Sequence, residues 1–210
     1  MFVSDIMSKN VKSVRENQSP GEVLKTMREL GFEAIPVTSS RGNLRGIITE
    51  HDLLLKLGEN PSQDFLDNGK IQGIMAQDVV TVGQDEIIES ACYIMRKHDF
   101  SALPVVDDDG NLTGIITQSD IFSIMVDMMG LTEPGTRITL VVPDRVGVLA
   151  DIASTIKQSG ISIASMAALR SRGGSMVQTV FRIRTIDADP VVQNLMESGF
   201  RVVHVSQVWE

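Results

Sequence analysis

One cysteine in 210 residues leaves Cys92 with no partner for an internal disulfide, which fits a reducing cytoplasm better than a secreted fold. Its place in an apolar helical stripe makes it a small buried hydrophobe. No apolar run approaches the roughly 18 residues of a membrane span, and Met1-Phe2-Val3-Ser4-Asp5 lacks the basic and apolar regions of a signal peptide. A cytoplasmic location without membrane insertion is therefore expected. His51, His98 and His204 are widely separated and have no metal-ligand spacing, alone or with the cysteine. There is no Gly-x-Ser-x-Gly elbow and no Walker-type phosphate loop. No catalytic residue, metal ligand or resident cofactor is expected.

Positive charge is also scarce. The net charge is −8, and it is uneven: the residues from Thr136 onward carry eight Lys/Arg against six Asp/Glu, so the excess of acid lies before them. An acidic N-terminal part excludes a phosphate-backbone partner, which needs clustered Lys and Arg. A single nucleotide needs only a local donor pocket and is not excluded.

What the chain does have is a repeat. Gly46-Ile47-Ile48-Thr49-Glu50-His51-Asp52 returns as Gly114-Ile115-Ile116-Thr117-Gln118-Ser119-Asp120, at an ungapped offset of 68. Met7 matches Met75, Phe32 matches Phe100, Pro36-Val37 matches Pro104-Val105, and Gly42-Asn43-Leu44 matches Gly110-Asn111-Leu112. One supersecondary unit used twice gives a pseudo-two-fold module. Each copy reads β-α-β-β-α. Ser19-Pro20-Gly21-Glu22 predicts a helix start, with a Ser cap, Pro in the first turn and Glu three residues on. In the second copy Asp85 is the expected cap, and Asp107-Asp108-Asp109-Gly110-Asn111 reads as a solvated turn, lacking the spaced ligands of a calcium loop. Residues 1–60 and 71–130 form the repeats, 61–70 a connecting loop containing Pro61, and 131–135 a linker marked by Pro134 and Gly135.

From 136 to 210 the pattern changes. Ile138, Leu140 and Val142 alternate, as do Val177, Thr179, Phe181 and Ile183, and the order βαββαβ is the ferredoxin-like unit. The fold class is α/β in the broad sense, or α+β. The basic stretch Arg170 to Gly174 reads as a hairpin turn rather than an anion site.

The repeated Gly-x-x-Thr-x-x-Asp motif has its own chemistry. Gly46 and Gly114 would let a ligand approach the strand backbone. Thr49 and Thr117 stand at helix N-termini, where unpaired N–H groups and the dipole favour phosphate. Asp52 and Asp120 are acceptors suited to ribose hydroxyls, and Ile35-Pro36 and Leu103-Pro104 would wall a base. The other reading makes Thr-x-x-Asp a capping box. Both stand at this point.

The duplicated unit resembles the CBS domain, named for cystathionine β-synthase, and two in tandem resemble a Bateman module. The resemblance is carried by Asp5-Ile6-Met7, Ile35-Pro36-Val37 and both Gly-Ile-Ile-Thr-x-x-Asp segments. The C-terminal part resembles an ACT domain, through Val142-Pro143-Asp144-Arg145-Val146-Gly147-Val148-Leu149 and Gly160-Ile161-Ser162-Ile163. The order looks like that of the AcuB-type acetoin-utilisation regulatory proteins. The resemblance implies adenine nucleotides (AMP, ADP, ATP or S-adenosylmethionine) in two clefts as regulatory ligands. Many CBS motifs carry a basic residue just before the Asp; here that position is His51 or Ser119, so the first site is expected to bind better, with Lys9, Lys12 and Arg15 nearby. It also implies an ACT homodimer with an amino acid or other small effector near Asp144, Arg145, Gly147 and Leu149. The output would be control of a metabolic enzyme or transporter. A scaffold without a nucleotide ligand is the alternative, and an enzyme on an acidic small metabolite the third reading.

Overall fold

Ser19 starts the first long helix as its neighbours predict. Its hydroxyl accepts from the Glu22 amide, and the Glu22 carboxylate accepts from the Ser19 amide, closing a capping box. The computed structural model describes residues 1–59, 62–170 and 174–208. The chain forms two units, 1–122 and 123–210.

In the first unit the first copy runs α1 (Val3–Ile6), β1 (Val14–Arg15), α2 (Pro20–Leu30), β2 (Ala34–Thr38), β3 (Leu44–Thr49) and α3 (Glu50–Glu59). After α4 (Gln63–Asn68) and a 3-10 turn at Ile71–Gly73, the second copy runs β4 (Val82–Gly83), α5 (Ile88–His98), β5 (Ala102–Val106), β6 (Leu112–Thr117) and α6 (Gln118–Met128). Each copy has a three-stranded sheet, β1-β2-β3 or β4-β5-β6. The first pair in each is parallel and the second antiparallel.

Two expectations need correction. The connecting stretch is not all loop, because Ser62 caps α4 by accepting from the Phe65 amide; Pro61 lies outside the described residues. Asp85 does not cap α5. The residue at the cap is Ile87, which stands where the first copy has Ser19 and bridges Phe2 instead.

The copies exchange their leading segments. The Val3 amide donates to the Glu86 carbonyl and the Ser4 amide to that of Gln84; 68 residues on, Ile71 donates to Gln18 and Gln72 to Glu16. Val3 and Met7 thereby join the core of the second copy, with Val105, Ile116 and Met95. Ile71 and Met75 join the core of the first, with Val37, Ile48 and Met27. Neither copy has a complete core without the other's leader.

The second unit begins within α6 and carries β7 (Gly135–Pro143), α7 (Val148–Gln158), β8 (Ile163–Arg170), β9 (Met176–Ile183), α8 (Asp189–Glu197) and β10 (Arg201–Val208). The sheet order β10-β7-β9-β8 is the antiparallel ferredoxin-like arrangement. Ile138, Leu140, Val142, Phe181 and Ile183 form one core with Ile152, Ile156, Val191 and Leu195 of the two helices. One face of the sheet is thus covered by helices. Of the basic stretch at 170–174, residues 171–173 lie outside the described residues.

Candidate functional site

Both repeated motifs form the same hydrogen-bonded box. Asp52 Oδ2 accepts from the Thr49 amide at 3.0 Å and from its hydroxyl at 2.6 Å, while Thr49 Oγ1 accepts from the Asp52 amide. Asp120 Oδ2 accepts from the Thr117 amide at 2.8 Å and its hydroxyl at 2.7 Å, and Thr117 Oγ1 accepts from the Asp120 amide. The box uses one oxygen of each carboxylate. Oδ1 remains as an acceptor, so capping and ligand binding do not compete for the same lone pairs.

A cleft of about 450 Å3 opens beside Thr117, Ser119 and Asp120, within the range of small-molecule sites, roughly 300–1,000 Å3. The second copy adds Ser101, Ala102 and Ile115, and the first copy contributes Asn10, Lys12, Glu33, Ala34 and Pro36. Sequence proximity assigns Lys12 to the first motif. The leader exchange moves it: Ser8 pairs with Ile115 on β6, which carries Asn10 to Lys12 to the second motif.

Several expected roles change. Gly46 and Gly114 are closely approached, but by the protein itself. A Cβ at Gly46 would meet Ala76 O and Met75 Sδ, and one at Gly114 would meet Met7. Ile35 and Leu103 belong to the two hydrophobic cores and do not wall a cleft. Strand alternation turns Pro36 to the cleft when Ile35 faces inward. Pro104 is buried, and His51 is exposed on α3. The helix-start amides are largely occupied, since Gln118 donates to Ser101 O and Asp120 to Thr117, with Glu50 donating to Glu33 O in the other copy. A phosphate would therefore depend on Lys12 more than on free N–H groups.

In the second unit, Asp144, Arg145, Gly147 and Leu149 all line a cavity of about 330 Å3 with Ala168 and Arg170. The Asp144 carboxylate lies 3.1 Å from Arg170 Nε. Arg145 pairs with Asp151 at 2.6 Å. Gly147 occupies the cap position at φ +84°, with nothing near a prospective Cβ, so it serves the left-handed turn.

Among the described residues, two groups have displaced pKa values. Burial, then the neighbouring Glu89 charge, raises that of Cys92. Hydrogen bonds from the Asn111 side chain and backbone lower that of Asp107. Asp107 Oδ1 accepts from the Asn111 and Asp109 amides, as a turn-forming aspartate does. Among the described residues, no cluster of His, Cys, Asp and Glu could hold a metal ion, and no helix is long and apolar enough to cross a membrane.

The exchanged pair, with its duplicated boxes and intervening cleft, is a pseudo-symmetric α/β module followed by a ferredoxin-like domain. The CBS domain family matches residues 3–59 and 71–127, and the ACT domain matches 136–199. The chain belongs to the CBS-domain family, as a tandem pair followed by an ACT domain.

Homoserine O-acetyltransferase from Methanococcoides burtonii is 37% identical over 119 residues, which are 57% of this chain and 23% of that protein. The chain spans less than a quarter of the homoserine O-acetyltransferases it matches. The CBS domain pair of protein MJ0100, solved with 5′-methylthioadenosine and S-adenosyl-L-methionine, is 31% identical, with TM-score 0.55 over 60% of this chain and 97% of that one. A Vibrio cholerae protein given the acetoin-utilization name AcuB is 26% identical, with TM-score 0.56 over 63% of this chain and 95% of its own.

Proposed function

We propose that this chain is a non-catalytic regulatory sensor whose CBS pair binds an adenosine-containing ligand (AMP, ADP, ATP or S-adenosylmethionine) in the cleft of Thr117 and Asp120. The observation that carries the reading is that cleft, where Asp120 and Lys12 line one space of about 450 Å3. Asp120 Oδ1 would accept from ribose hydroxyls, and Lys12 would face a phosphate or another anionic group. The adenosyl ligands of the MJ0100 pair support an adenosine-sized occupant.

This assignment reverses the site preference expected from His51. At the 68-residue offset, Asn10 and Lys12 become Asp78 and Val80, and Gln118 becomes Glu50. The Asp52 site would therefore gather acid and lose its lysine, a poor setting for phosphate despite His51. Glu50 is only partly offset by Arg28, 3.7 Å away.

The ACT domain would pair two chains in the cytoplasm and hold a small effector, such as an amino acid, at the Asp144–Leu149 loop. A ligand preferring one arrangement of the dimer would shift its population by no more than its differential affinity. The regulated partner would be a metabolic enzyme or transporter; the likeness to the Vibrio cholerae protein favours acetoin utilisation.

The test is thermal unfolding of the full chain with each of the four ligands. Saturation at 100 times Kd adds about 2.7 kcal/mol, seen as an upward shift in Tm. Asp120→Asn should remove that shift, and Asp52→Asn should keep most of it. No shift with any ligand would leave the two boxes as capping devices and favour a scaffold.

A further inference from the structure

Arg182 on β9 is only 3% exposed, yet no carboxylate among the described residues lies within ion-pair distance of it. Its Nη2 donates to the Glu133 carbonyl, while Nη1 is buried with no hydrogen-bond partner among the described residues. Guanidinium cannot escape this by losing its proton. A buried, unpaired charge is among the least favourable arrangements a fold can hold.

The surroundings are built around that side chain. A Cβ on Gly130 would lie 3.3 Å from Arg182 Cδ, and one on Gly135 would lie 3.7 Å from its Nε. Ile138 and Phe181, paired in register on β7 and β9, face the helices; Arg137 and Arg182, the next pair, take the opposite face. Arg137 Nη1 donates to Thr139, and this guanidinium too has no carboxylate partner among the described residues. Both arginines line a groove of about 240 Å3 with Met125, Met128, Met129 and Leu131.

Two unpaired cations under an aliphatic wall select a particular chemistry. A fully hydrophilic anion would leave the methionine and leucine surface unused. A neutral hydrocarbon would leave the arginines unpaired. We propose that this groove binds a small aliphatic carboxylate, its head group on Arg182 and Arg137 and its chain against the methionines. A carboxylate matches the planar guanidinium fork, and methionine, with three rotatable bonds, can adapt to the aliphatic chain. The volume limits the ligand to a short acid. The site is separate from the Asp144–Leu149 loop and does not depend on nucleotide binding by the CBS pair.

The experiment is calorimetric titration of the full chain with hexanoate, 1-hexanol and acetate. Hexanoate should bind saturably at one site per chain, and the alcohol and acetate at least tenfold more weakly. Arg137→Gln, at a half-buried position, should weaken hexanoate at least tenfold. Arg182→Met should abolish binding while the ligand-free Tm holds or rises, because a buried unpaired charge is removed; an arginine with a structural role alone would lower it. Should Arg182→Met fail to fold, Arg137→Gln decides. Equal binding of hexanoate and hexanol, no saturable hexanoate binding, or unchanged affinity in Arg137→Gln overturns the proposal. So does an affinity that falls as protein concentration rises, which would assign the groove to a second copy.

Discussion

Asn43 and Asn111, equivalent residues 68 positions apart, meet side chain to side chain, with Asn43 Nδ2 donating to Asn111 Oδ1 at 2.9 Å. Their backbones form an isolated antiparallel bridge, so the pseudo-two-fold axis passes between them. The pair cannot be symmetric in its hydrogen bonds. Asn111 Nδ2 turns to Asp107 Oδ2, and the equivalent position in the first copy is Ser39. Asn43→Ala removes the bond across the axis and should cost about 1 kcal/mol. Asn111→Ala also breaks the Asp107 contact and should cost more. Urea denaturation of the two variants checks the order; equal losses would mean that the Asp107 contact adds nothing.

The two motif glycines should differ in tolerance although the sequence repeats them. At Gly46 a Cβ meets the Ala76 carbonyl oxygen at 2.7 Å as well as Met75 Sδ at 2.8 Å, and the backbone atom has little room to yield. At Gly114 the nearest atoms all belong to the Met7 side chain, which can change rotamer. Gly46→Ala should destabilise by about 1–3 kcal/mol, as overpacking does, and Gly114→Ala by less. Chemical unfolding of both variants provides the comparison.

Residues that act within one copy were legible, whereas those displaced by the exchange were not. Ser19 and Glu22 form their box from neighbours three residues apart, and the alternation of Ile138, Leu140 and Val142 reports a buried face directly. The match of Met7 to Met75 was visible, but each sits on the glycine of the other copy, a long-range pairing with no local signal. Lys12 was assigned to the wrong motif for the same reason. Period-two alternation could have separated Ile35 from Pro36, because adjacent strand residues cannot both face a cleft. Ile87 marks a departure between the copies: Ser19 has no equivalent cap, and Asp85 lies too early to replace it. The Arg182 site was hidden because Arg182 and the methionines lie far apart in sequence.

Stability should depend on pH through Asp107. Its pKa is held below the usual aspartate value of about 3.9, chiefly by hydrogen bonds from Asn111. A folded-state pKa lower than the unfolded one makes the contribution complete above the unfolded value and lost as pH falls through the folded one. Asp107→Asn should therefore be less stable than the parent at pH 7, with a gap that narrows as the solution is taken below about pH 4. Urea midpoints at the two pH values measure it. A gap independent of pH would mean that the carboxylate charge does not strengthen the turn.

Asp52 and Asp120 share the capping duty, whereas the proposed binding duty falls on Asp120 alone, so the order of measurement matters. Both carboxylates accept from a threonine amide and hydroxyl through Oδ2, with distances that differ between copies by no more than 0.2 Å. An amide at either position keeps a hydrogen-bonding oxygen but loses the charge beside the helix N-terminus. Asp52→Asn and Asp120→Asn should then lower ligand-free stability by similar amounts, up to about 1 kcal/mol each. Only Asp120→Asn should also lose the ligand-induced rise in Tm, because that carboxylate lines the cleft holding Lys12. Matched losses without ligand, followed by unequal responses to it, separate the capping duty from the binding duty. If both variants keep the full ligand response, Oδ1 of neither carboxylate contacts the ligand, and the adenosine orientation proposed for the Asp120 cleft is wrong.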